Sequence, residues 1–338
     1  MTMTMKGMGT PSLDEHDGGM QVRRIRRLMQ VRELPLLVIL VVCGAVLTGV
    51  TPDFLTVTNL NAIGLGLVDQ GVIAVTMAVL LISGGFDLSV GGILAVSGII
   101  CGELLVHHMP MAVAIAVTLA LGGLLGAING FVVTVWRVNP LIATLGSASI
   151  AEAAALVITN TAPVSGFSPA FLYIGEGTIG GVSVGVIGML VLILLADLLL
   201  RRLRALRSVY YIGSNPLAAA YSGISVARVQ FVTYVASGIA GALAGIFVTS
   251  RLNSAFPTSG LSDPLNVIAA CVIGGASLSG GQGTILGAFL GVLLLNVIDN
   301  AIILLNINVN WQGAVSGAIL IVAVALNELH RRRPGAES

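Results

Sequence analysis

The stretch Leu80–Ala95, LLISGGFDLSVGGILA, decides how this chain is read. It joins two long apolar runs, yet it carries two glycine pairs and the carboxylate of Asp87 where a membrane helix would continue unbroken. The membrane setting follows from composition. Hydrophobic residues make up 56% of the chain and charged ones 9%, against roughly 25% charged in a soluble domain. The mean hydropathy is +1.00.

Working outward, apolar runs fall at 34–50, 60–82, 88–106, 111–135, 139–159, 183–200, 229–250, 264–279, 283–305 and 311–328. Most approach the ~20 residues that cross a bilayer. The reading is an all-α polytopic membrane protein with about ten transmembrane helices over 34–328. Tails at 1–33 and 329–338 are expected on the cytoplasmic side. Lys6 is the only lysine, so arginines set the orientation. Arg23–Arg32, Arg137, Arg201–Arg207, Arg228 and Arg331–Arg333 all fall on the inner side of a ten-span layout, and Arg251 alone falls outside, as the positive-inside rule requires. The N-terminus lacks a signal-peptide layout, so the first run reads as an uncleaved span. Cys43, Cys101 and Cys271 sit in apolar stretches without ligand spacing and read as small hydrophobes. His107 and His108 read as an interfacial turn.

Much of the glycine has helical spacing. Gly122, Gly126 and Gly130 repeat every four residues, as do Gly283, Gly287 and Gly291; Gly241 with Gly245 and Gly313 with Gly317 are shorter cases. Such faces let helices approach closely in lipid. A longer repeat is more informative: GGFDLSVG (Gly84, Gly85, Asp87, Leu88, Ser89, Gly91) matches GGASLSGG (Gly274, Gly275, Leu278, Ser279, Gly281), suggesting two weakly repeated halves in parallel relation. Ser277 stands where Asp87 does, which favours helix capping by Asp87 and Ser89 at Val90 over proton transfer. Asp69, Glu103, Glu152, Asp197 and Asp299 are the other carboxylates at or near membrane depth. Each costs ~2.5–3.5 kcal/mol at a helix centre. With the arginines at span ends, no cationic partner is expected within the membrane, which disfavours a charge-relay pump. Asn129, Asn296 and Asn300 are candidates for a translocation path; the last two lie one turn apart and suit a neighbouring helix or a polar solute.

No G-x-x-x-x-G-K-[ST] loop is present, and Lys6 leaves no lysine to form one. Metal clusters, nucleophile elbows and dinucleotide fingerprints are lacking too, so no catalytic, cofactor or metal residue is assigned. Any energy source lies in another chain. The segment 207–225 is the best clue to it: Gly213, Ser214, Asn215 and Pro216 signal a turn, and Leu217 with Ala218, Ala219 and Ala220 forms a short helix with a shallow surface. Gly223 then ends it.

These residues resemble the membrane permease subunits of bacterial ATP-binding cassette importers of the ribose and monosaccharide type, within the branched-chain amino acid and ribose permease superfamily. The resemblance runs from about Thr58 to Leu326 through ISGGFDLSVGG, GAINGFVV, VNPLIATLG, YIGSNPLAAAYSGISVARVQ, SGIAGALAGIFVTSRLNSA, IAACVIGGASLSGGQGTILG and WQGAVSGAILIVAV. It implies a permease in the bacterial inner membrane that pairs with a second permease chain, identical or not. Two cytosolic ATPase subunits would bind the ATP, a periplasmic binding protein would deliver the solute, and Gly213–Gly223 would be the coupling segment. No nucleic acid partner is implied. Three positions depart from the pattern: Asn266 replaces a common aspartate, Phe86 an isoleucine and Gln282 a basic residue. The alternatives are the same architecture carrying a polyol, autoinducer-2 or an amino acid, an ATPase-independent transporter or channel, and a non-transporting scaffold.

Overall fold

A computed structural model describes residues 33–331, with side chains as far as Ala325. Nearly all of both expected tails, with the arginines at 23–32, lies outside the described residues. The helices are α1 (Leu34–Val50), α2 (Val57–Ile82), α3 (Val90–Val106), α4 (Met111–Thr134), α5 (Pro140–Thr159), α6 (Pro169–Glu176), α7 (Val184–Arg202), α8 (Arg204–Ser214), α9 (Pro216–Tyr221), α10 (Val226–Leu252), α11 (Asp263–Ile273), α12 (Ile285–Leu304) and α13 (Trp311–Arg331). Four two-residue strands are β1 (Val164–Ser165), β2 (Thr178–Ile179), β3 (Val182–Ser183) and β4 (Ser254–Ala255).

Among the described residues six helices are long and apolar enough to cross a membrane: α2, α4, α5, α7, α10 and α12. With the shorter apolar α1, α3, α11 and α13 they make an all-α polytopic membrane protein. Leu145, Val157 and Leu194 on the outer helices are more than half exposed, as suits contact with lipid.

α10 is the centre of the bundle and packs against α2, α3 and α4. Small residues permit this. A Cβ on Gly126 would lie 2.3 Å from the Tyr234 carbonyl oxygen, and one on Gly245 would lie 2.3 Å from that of Leu94. Such close backbone approach is what holds helices together where both sides are equally apolar. Gly287 and Gly291 of α12 likewise face α11. Gly313 and Gly317 do not follow the pattern: a Cβ on either would meet nothing within 4 Å.

One expected span is broken, and the helix it abuts is short as well. The run 264–279 is helical only over Asp263–Ile273, about 16 Å at 1.5 Å per residue, because Gly274–Gly283 turns instead of continuing. α3 begins deep in the bundle: Val90 lies beside Gly241, which is about 22 Å along α10 from its first residue. The N-termini of these two short helices abut, since a Cβ on Gly91 would lie 2.3 Å from the Gly260 carbonyl oxygen and 3.0 Å from Pro264.

The connection 160–182 between α5 and α7 carries its own structure. β1 pairs with β4 (Val164↔Ala255) and β2 with β3 (Ile179↔Val182). Phe171 of α6 is fully buried, and the Ser250 hydroxyl of α10 donates to the Phe171 carbonyl at 2.7 Å.

Candidate functional site

The two glycine motifs are built alike. α2 stops where Gly84 takes φ +82°, with the Gly84 N–H donating to Leu81 O and the Gly85 N–H to Leu80 O, both at 2.9 Å. α11 stops where Gly275 takes φ +92°, with its N–H on Val272 O and the Ala276 N–H on Cys271 O. Both are left-handed helix ends that satisfy orphan carbonyls. A side-chain turn follows in each: the Ser89 N–H donates to Asp87 Oδ1 at 2.8 Å, and the Ser279 N–H to Ser277 Oγ at 3.3 Å. The turns keep the sequence register of the repeat, whereas the glycine that stops the helix falls one residue later in the second copy. Beyond the turns the paths part. The first copy climbs beside α10 to start α3, while the second folds back through Gly280 and Gly281.

The two copies meet each other, and α8 wedges against both. The Gly281 N–H donates to Ile82 O at 2.8 Å. A Cβ on Gly280 would lie 2.9 Å from Gly213 Cα and 3.1 Å from Gly84 Cα, and one on Gly213 would lie 1.9 Å from Ile82 O. Gly213 therefore belongs to the last turn of α8, not to the turn expected from sequence, and its hydrogen side chain lets the two motifs close around it. Side chains outside the motifs brace the junction: Tyr210 OH donates to Gly283 O (2.9 Å), Gln230 Nε2 to Ser83 O (3.3 Å) and Tyr234 OH to Phe86 O (3.2 Å).

The rest of the segment 207–225 forms a short solvent-facing element. α8 ends at Ser214, Asn215 caps α9 by accepting from the Ala218 N–H at 3.0 Å, and Pro216 holds the first helical position. Gly223 at φ +84° ends the turn, with the Ile224 N–H on Ala219 O. Ala219 is buried and Ala218 and Ala220 are exposed. Leu217 is 71% exposed and Tyr221 92%. Beside them Tyr211, Ser214, Asn215, Ala218 and Ser222 line a shallow cavity of about 370 Å³.

Asp87 is wholly buried and fully engaged. Its Oδ1 accepts from the Ser89 N–H and from Ser89 Oγ (2.5 Å), and its Oδ2 accepts from Ser237 Oγ of α10 (2.8 Å). Asn129 of α4 is buried and donates to Ser89 Oγ at 2.7 Å. The capping expectation fails for both: Asp87 accepts from the Ser89 N–H, ahead of the first turn of α3, and the Ser89 hydroxyl is spent on Asp87. Asn296 donates to Gly66 O (3.1 Å), and Asn300 exchanges two hydrogen bonds with Asn59 (3.1 and 2.7 Å). Both amides bind α12 to α2.

The expectation of no cationic partner within the membrane is overturned. Arg251, at the end of α10, donates from Nη1 to Leu65 O and sets Nη2 3.8 Å from Asp69 Oδ2 of α2. The long side chain reaches back into the bundle, which span counting cannot foresee. Asp69 Oδ1 is buried without a partner among the described residues, so Asp69 depends on this arginine. Arg251→Ala is expected to destabilise the chain by roughly 3 kcal/mol, as breaking a buried pair does. Adding Asp69→Asn should restore much of the loss in thermal unfolding of the detergent-solubilised protein.

The signal for the bracing residues lay in the sequence. Gln230, Tyr234 and Ser237 recur at helical spacing, giving α10 a polar stripe, and all three turn out to touch residues 83–87. That stripe names no partner until the fold supplies one.

Residues 59–324 match the family described as branched-chain amino acid transport system / permease component. The chain belongs to this family. Among similar proteins, the ribose import permease protein of Haemophilus influenzae is 36% identical over 88% of this chain and 93% of its own length. The ribose import permease protein of Bacillus subtilis is 37% identical, over 86% and 90%. The D-allose transport system permease protein of Escherichia coli is 35% identical over the same shares. No solved structure matches the chain. The family match begins inside α2 and ends inside α13, so it takes in both glycine motifs and the coupling segment.

Proposed function

We propose that this chain is the permease subunit of an ATP-binding cassette importer for a monosaccharide, in the bacterial inner membrane with both termini cytoplasmic. Two cytosolic ATPase subunits bind and hydrolyse the ATP, a periplasmic binding protein delivers the sugar, and a second permease chain completes the path. Relatives named for ribose, L-arabinose and D-allose import support the solute class. One observation carries the mechanism: the coupling segment bears on both glycine motifs through Gly213.

An ATPase seated on Leu217 and Tyr221 moves α9 when it closes. α8 transmits that movement to the end of α2 and to the turn of the second motif between α11 and α12, because Gly213 touches Ile82 and Gly281 directly. Both motifs lack long side chains at the contact, so there is no soft layer to absorb the shift. Rigid-body movement of packed elements is how such interfaces switch.

The test is to coexpress the chain with its ATPase and to replace Leu217 and Tyr221 by glutamate. Both side chains are exposed, so insertion and folding should persist, while ATPase copurification and ATP-driven uptake fall by at least roughly tenfold, as for loss of interface anchors. Unchanged uptake would sink the coupling assignment, and uptake by the chain without an ATPase would sink the importer reading.

A further inference from the structure

Away from α8, a cavity of about 540 Å³ opens between α2, α11, α12 and α13. This falls within the range of small-molecule sites. Gln70 lies about 18 Å along α2 from Ile82, so the cavity reaches deep into the bundle from the end remote from the coupling segment.

Its lining is polar without being basic. Asn266, Asp299 and Ser316 face it from three different helices, with Leu265 as an apolar wall, and none of the lining residues is Lys or Arg. Among the described residues the side chains of Asn266, Asp299 and Ser316 make no hydrogen bond. Gln312 adds an amide held by the Asp299 carbonyl at 3.3 Å. An amide, a carboxylate and a hydroxyl with unspent capacity are what a neutral polyhydroxy solute needs, since its hydroxyls both donate and accept. An anion would find no cation here.

The Gln70 amide nitrogen donates to Asp263 Oδ1 at 3.3 Å. Asp263 opens the broken helix α11, whose other end is the second glycine motif. The cavity thus borders the half-length helix that leads into the second glycine motif, whose Gly280 and Gly281 lie against Gly213. Asn266, which departs from the expected aspartate, lies one turn into that helix and faces the cavity.

We propose that this cavity is a binding station for one neutral monosaccharide, held by Asn266, Asp299 and Ser316. The proposal rests on the sugar-importer reading for the class of solute. The test uses the full chain in lipid nanodiscs, with saturation-transfer NMR on D-ribose, L-arabinose, D-allose and L-leucine. At least one sugar should bind the wild type, and Asn266→Ala and Ser316→Ala should each weaken it by roughly tenfold, the effect of losing about one good hydrogen bond. Val157→Ala, on the exposed face of α5, should leave binding unchanged.

Sugar binding unaffected by both cavity variants would overturn the proposal. So would the binding of leucine in place of every sugar, or no sugar signal from the wild type. ATP-driven uptake by the assembled complex separates the two readings. Absent uptake with cavity-dependent sugar binding intact sinks the importer and keeps the station, whereas intact uptake with insensitive variants sinks the station alone.

Discussion

A Gly213→Val chain is expected to reach the membrane poorly and to carry no ATP-driven uptake. Even a single Cβ at this position would lie 1.9 Å from Ile82 O and 2.3 Å from the Gly281 nitrogen. Both neighbours are backbone, and the Gly281 N–H is already bonded to Ile82 O. Relief must come from moving α8 off the two motifs, which uncovers the end of α2, or from parting Gly281 from Ile82, which breaks that bond. Overpacking typically costs about 1–3 kcal/mol, and a rigid backbone contact belongs at or above the top of that range. Gly213→Ala should show the same defect in milder form, read as a lower unfolding temperature and weaker coupling of ATP hydrolysis to uptake. If Gly213→Val supports normal uptake, the wedge does not transmit the stroke.

Asp87→Ala is expected to cost at least roughly 3 kcal/mol. It leaves the Ser89 N–H, Ser89 Oγ and Ser237 Oγ without their acceptor in a site closed to water, and each buried orphan costs about 1–3 kcal/mol. The loss reaches Asn129 as well, because Ser89 is its acceptor. Asp87→Asn separates structure from proton chemistry. An asparagine keeps one oxygen for Ser89 and turns its amide to Ser237 Oγ, which can accept. Stability within about 1 kcal/mol of wild type and retained uptake are therefore expected. A carboxylate that carried protons would instead lose all uptake in Asp87→Asn with the fold intact.

The two experiments bear on parts of the molecule that were unequally legible beforehand. The apolar runs gave the order of the helices because hydrophobic length is a local property, and the stop at Gly84 was visible because a glycine pair followed closely by a carboxylate interrupts an apolar run locally. The cap and proline of Asn215–Pro216 were equally local. The second break was misread as part of a span at 264–279, since the small residues Gly274–Ser279 continue the apolar run without a charge to mark its end. Arg251 was placed outside the membrane because span counting locates a Cα and takes no account of a side chain that reaches back to Asp69.

Asn129, Asn296 and Asn300 show the same division. Their polarity marked them as needing partners within the bundle, and each has one: Ser89, Gly66 O and Asn59. Asn266 and Ser316 drew less attention, yet with Asp299 they face one cavity with their hydrogen bonds unspent. Pairing status is a property of two elements at once, so it has no trace in either one alone.

Sequence by itself therefore determined that this is a helical membrane protein, where most of its helices run, and that a motif recurs in two places. Periodicity, glycine and proline act through the nearest turn of backbone, so they can be read along the chain. Only the tertiary structure decided that the two motifs touch, and that Gly213 is the point where α8 bears on both. It also decided that LLISGGFDLSVGGILA is a climb beside α10, not a simple hairpin between spans. Those facts depend on close approach between segments some 70 to 200 residues apart, where loop closure is entropically cheap to extend and the chain's local chemistry leaves the partner unspecified.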